Sequence, residues 1–122
     1  MPCGTGFTKV SIDFTGHCAY PIEDAQRRIA FMRRVHPEWF GGVLHLTDAL
    51  DLGPFGHDIA LEFGIDAKCK FELYVLNKDW LDSAGEAVEF VYQVFGTDHL
   101  VVTYGMDTIR PPLRPHPAMP VD

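Results

Sequence analysis

Six histidines and seventeen carboxylates among 122 residues could build a metal site, an acid–base pair or an ion-binding face, so their spacing has to decide. His45, Asp48, Asp51, His57 and Asp58 fall close together along the chain. Imidazole and carboxylate groups of this kind can hold a divalent cation or exchange a proton. Their spacing follows no zinc signature, because neither H-x-x-x-H nor H-E-x-x-H occurs, and no metal is expected of them. Cys18 follows His17 directly, but a catalytic thiol and its base normally meet through folding rather than through adjacency. Cys69 alternates with Phe71 and reads as a buried, inert thiol. The glycines of GTG at 4–6 and GG at 41–42 lack the strand–G-x-G-x-x-G–helix context of a nucleotide site, there is no G-x-S-x-G elbow, and no cofactor is expected.

The carboxylates alone suggest a different chemistry. In DWLDSAGEAVEFVYQVFG, residues 79–96, Asp82, Glu86 and Glu89 stand at i, i+4 and i+7, along one side of a helix. Like charges so placed cost about 0.2–0.5 kcal/mol per pair. No Lys or Arg lies between Asp79 and Asp107 to relieve them. Residues 35–67 repeat the asymmetry, with Glu38, Asp48, Asp51, Asp58, Glu62 and Asp66 and no Lys or Arg. A charged helix face commonly just meets water. Two long reaches without a cation argue for more: a surface of Asp82, Glu86, Glu89, Asp48 and Asp51 that steers and docks a basic protein. Trp39 and Phe40, in HPEWFGG after a helix, are candidate apolar anchors for that partner, although aromatics so placed also serve as core beneath a loop. Arg27–Arg28 and Arg33–Arg34 make the molecule polar and admit a homodimer.

The totals agree with a protein-binding role. A formal net charge of −7 opposes binding to nucleic acid or to anionic membranes. No apolar run reaches the ~20 residues of a membrane span, and MPCGTGF lacks the basic and apolar regions of a signal peptide. Three cysteines, an odd number without a Cys-x-x-Cys pair, suit reduced thiols in the cytoplasm.

These residues must be positioned by secondary structure that the hydrophobic period reveals. FTKVSIDF alternates as a half-buried strand, and PIEDAQRRIAFMRRVH reads as a helix with Pro21 in its first position. Residues 43–50 read equally as strand or helix. HDIALEFGI and CKFELYVLN both alternate and predict a β-hairpin. Residues 79–96 predict a second helix, capped by Asp79 and ended at Gly96, and LVV in TDHLVVTYG a central strand. The expected architecture is one α+β domain over residues 1–106. It is a two-layer sandwich with a mostly antiparallel sheet of four or five strands and two main helices, ferredoxin-like if 43–47 or 57–63 supplies the second strand. Residues 107–122 form a Pro-rich tail; 110–120 alone hold five of the nine prolines, which predicts loosely held polyproline II, and PPLRP fits an SH3-type reader.

PEWFG at 37–41 and GEAVEFVYQVF at 85–95 resemble the barstar family of acidic α/β inhibitors, over well under a fifth of the chain. The resemblance implies an inhibitor of a basic enzyme. The sequence thus favours a non-enzymatic inhibitor or immunity protein that occludes the active site of a basic toxin or nuclease. The alternative is a small enzyme or ligand-binding domain whose pocket collects His45, His57, Asp58, His99 and Cys18.

Overall fold

A computed structural model describes residues 12–40, 44–76, 81–104 and 108–121, without the side chains of 12–13, 54–56 and 81–83. Asp79, the glycines at 4–6 and 41–42 and the Asp82 side chain therefore lie outside the described residues.

The elements run β1 (Ile12–Cys18), α1 (Ile22–Val35), β2 (Leu44–Leu46), β3 (Leu50–Asp51), α2 (Pro54–Glu62), β4 (Cys69–Val75), α3 (Leu81–Phe95), β5 (Leu100–Tyr104) and β6 (Thr108–Ile109). The sheet order is β2-β4-β1-β5-β6, with β3 pairing β4, and every pairing is antiparallel. β1-α1-β2 and β4-α3-β5 each skip one strand, so the path is the split β-α-β of a ferredoxin-like fold. The ambiguous stretch at 43–50 supplies the second strand through Leu44 and Leu46, both buried, with His45 turned outward.

Period two decides which residues of β4 enter the core. Cys69, Phe71, Leu73 and Val75 are buried, while Lys70, Glu72 and Tyr74 lie on the other face. Against the inner face pack Ala25, Ile29 and Met32 of α1 and Ala87, Val88, Val91 and Phe95 of α3. α1 places Glu23 and Asp24 in its first turn and Arg33 and Arg34 in its last, each beside the pole of the helix dipole that favours it. Pro21 sits one residue earlier than expected, at the N-cap, where its extended backbone turns the chain into the helix.

HDIALEFGI is a helix, not half of a hairpin. Pro54 opens α2, and Gly64, at φ +85°, closes it. The closing bonds, from the Gly64 N–H to Leu61 O and from the Ile65 N–H to Ala60 O (both 3.0 Å), form a Schellman motif. Ala60 and Ile65 are buried, whereas Leu61 and Phe63 are exposed, so the alternation in the sequence matches no strand face. With Ala60, Ile65 and Ala67, this helix covers Val101 on the outer sheet face and adds a small third layer.

The Pro-rich tail is tied down rather than loose. Residues 110–121, here the strap, cannot join a sheet, but their carbonyls and side chains find partners on α1 and α3. Arg28 Nη1 donates to Val94 O and to Met119 O, the latter at 2.7 Å. The Thr97 N–H donates to His116 O at 3.0 Å, and Met119 and Val121 pack on the core.

Two glycines with the same backbone sign test this account. A Cβ on Gly64 would meet nothing within 4 Å, while one on Gly96 (φ +87°) would lie 2.9 Å from the Ala118 backbone. Gly64→Ala is expected to cost about 1–2 kcal/mol, the left-handed penalty alone. Gly96→Ala should cost distinctly more and release the strap, seen as a lower denaturant midpoint and faster proteolysis after residue 109. Equal losses for the two would contradict the packing described here.

Candidate protein-docking groove

The outward face of α3 forms the floor of a groove of about 700 Å³. One wall is aromatic. After α1 ends, residues 36–40 make a further helical turn in which the Trp39 and Phe40 N–H groups both donate to His36 O. That turn stacks Trp39 on the His36 ring at 4.1 Å and sets Phe90 edge-on to His36 at 4.7 Å. The His36 Nδ1 in turn pairs with Glu38 at 2.8 Å, which fixes the ring.

The strap makes the other wall. Arg110 lies over α3 at Gly85, its Nη2 within van der Waals reach, 3.4 Å, of where a Cβ would stand. Tyr92, buried beneath, accepts a bond from the Val102 N–H at 2.9 Å and donates one to Arg110 O at 2.6 Å. Glu89 accepts from the Leu113 N–H at 2.9 Å and from His116 Nε2. The Glu89 and His116 side chains are only 13% and 11% exposed, so this pair is a clasp shielded from water. Burial alone would raise the Glu89 pKa, but the bonds from His116 and Leu113 and the charges of His116 and Arg110 hold it below the ordinary value of 4.5.

The groove brings together three of the expected docking residues: Trp39, Glu86 and Glu89. Only Glu86 remains exposed there, and among the described residues it makes no hydrogen bond or ion pair. Phe40 is 5% exposed and belongs to the core. Asp48 is not a free carboxylate. It bonds Arg33 at 2.8 Å and Gln26 at 3.1 Å, which lower its pKa, and it lies against α1. Asp51 is exposed on β3. The sequence therefore overstated the unanswered negative charge, because Arg33 and His116 arrive from distant positions. It also missed His36, Phe90, Arg110 and Leu113 as groove residues, and His116 as the partner of Glu89. For the last three no local signal existed, since a strap bonded through backbone carbonyls leaves no periodic pattern.

The residues of the pocket reading take separate partners. His45 stacks on Tyr74, His57 bonds Asp66 at 3.0 Å and His99 stacks on Tyr20. Asp58 is exposed on α2. Cys18 is fully buried opposite Cys69, sulfur to sulfur 3.8 Å, and its hydrogen bond with Cys69 together with burial pushes its thiol pKa up, away from a nucleophilic thiolate. Among the described residues, no three His, Cys, Asp or Glu side chains are placed to hold a metal ion, and no helix is long and apolar enough to cross a membrane.

The fold is a ferredoxin-like α+β sandwich that carries a shallow aromatic and acidic groove on α3. The chain belongs to the CDI System Immunity Component family, whose model matches residues 10–108. It is thus an immunity component, and the inhibitor reading holds over the pocket reading. Its fold is similar to a chain of the CdiA-CT/CdiI toxin and immunity complex from Burkholderia pseudomallei, with a TM-score of 0.76 and 19% identity over 84% of this chain and 99% of that one. No curated protein matches the sequence.

The clasp makes stability depend on acid. A carboxyl with a depressed folded pKa contributes stability above its unfolded pKa, and that contribution is lost as pH falls through the folded value. Glu89→Gln should cost about 1.5–3 kcal/mol at neutral pH. The gap between wild type and variant should close below the ordinary glutamate range, as followed by thermal melting from about pH 7 to pH 3. A gap that is constant with pH would contradict the ionised clasp.

Proposed function

We propose that this immunity component neutralises a CdiA-CT-type toxin domain by seating the groove of α3 and the strap on it, inside the cell that makes both. The observation that carries this reading is the convergence of Trp39, Phe90 and the unpaired Glu86 at one rigid groove in a member of an immunity family. The partner is expected to be basic at the contact. A free carboxylate beside an aromatic wall suits a lysine or arginine, whose stem lies on Trp39 while its charge meets Glu86. The net charge of −7 would speed encounter, and a nuclease would bring the basic cleft that such a surface occludes. Asp48 and Asp51 enter only as contributors to the long-range field.

The test is calorimetric titration with a CdiA-CT-type toxin domain from the same genome. Glu86→Lys is expected to weaken binding by about tenfold or more, equivalent to about 1.4 kcal/mol. Trp39→Ala should cost at least about 2 kcal/mol if it is a buried anchor. Wild-type affinity should fall as salt rises, mainly through the association rate. Binding that ignores salt and both substitutions would remove this surface from the account.

A further inference from the structure

We infer that the strap, residues 110–121, is a preorganised part of the toxin-docking surface, with Leu113 as its apolar anchor beside Glu86. This rests on the toxin-binding reading above. Leu113 is 79% exposed, more than any other large apolar side chain described, and it stands at the lip of the groove that holds Glu86 and Trp39. An exposed leucine on a loose tail would signify little. Here its own N–H is held by Glu89, the next turn is fixed by His116 on the same carboxylate, and Arg28 anchors Met119. The ordering cost of presenting Leu113 is therefore met before any partner arrives, the condition under which apolar contact converts most fully into affinity.

The strap begins beyond residue 108, where the match to the family model ends. The frame shared with the family thus supplies the floor and the aromatic wall, and a separate segment supplies the remaining wall. The occupant is the toxin domain, at a site where a lysine or arginine meets Glu86 and a neighbouring apolar socket takes Leu113. The charge at Glu86 excludes an acidic occupant at this position.

The experiment uses the full chain and the CdiA-CT-type toxin domain of the proposed function, co-purified and then separated. Binding kinetics are compared for wild type, Leu113→Ala and Leu113→Met, with thermal melting as the fold control. Leu113→Ala is expected to bind about ten- to a hundredfold more weakly through faster dissociation, with an unchanged melting temperature, and Leu113→Met to restore most of the loss. Wild type that binds and Leu113→Ala within about twofold of it would overturn the role of the strap while leaving the toxin reading intact. Wild type that fails to bind would overturn both. Sedimentation showing a wild-type dimer that Leu113→Ala converts to monomer would assign Leu113 to a second copy of this chain and overturn the inference as well.

Discussion

The Tyr92 hydroxyl is the junction on which the groove depends. It is buried within α3, takes the N–H of Val102 from β5 and gives its own proton to the carbonyl of Arg110, where the strap begins. The Arg110 N–H returns to Val102 O at 2.7 Å, so helix, sheet and strap close a single ring of bonds. A buried hydroxyl without partners would be costly, which ties the three elements to one another. The groove is the surface trace of that arrangement: α3 can expose Glu86 and Phe90 at a fixed distance from Arg110 and Leu113 because Tyr92 holds the strap in place from below.

Charge plays a smaller and more local part than the sequence suggests. Each reach of carboxylates without nearby cations is partly answered across the fold, Asp48 by Arg33 and Glu89 by His116. Surface pairs such as Arg33–Asp48 contribute little to stability. Their consequence is subtraction, since they leave Glu86 as the free carboxylate of the groove. On the proposed reading, recognition would come from shape and aromatic contact around one charge, with the net negative field assisting encounter.

Much of the frame was legible. α1, β4, α3 and β5 follow from hydrophobic period and caps; β1 matched the expected strand of residues 7–14 only at 12–14, since TGHCAY reads as a turn but continues the strand to Cys18, and residues 7–11 lie outside the described residues. The order implied the ferredoxin-like path once residues 43–47 took the second strand. α2 was misread because HDIALEF satisfies period two as well as any strand does. Pro54 and Gly64, which bound it, were the better signals, and they outweigh alternation over so short a run. Of the candidate groove, the lining residues Glu86, Glu89 and Trp39 were legible as charge and aromatic outliers on otherwise patterned segments. Phe40 looked equivalent to Trp39, yet the helical turn at 36–40 points one ring inward and leaves the other at the groove. The strap was illegible for a physical reason: its composition forbids sheet or helix, and its fixation is wholly non-local, through Arg28, Glu89, Tyr92 and Thr97.

Neutralisation through the α3–strap groove requires that the groove touch the toxin. The most direct measurement is photo-crosslinking of the assembled complex with a benzophenone amino acid placed singly at Gln93 in the groove, at His45 on the outer sheet face and at Leu61 on α2. A covalent adduct with the toxin from position 93 and none from 45 or 61 is the predicted result. Adducts from 45 or 61 with none from 93 would place the interface on the opposite side of the sheet and contradict it.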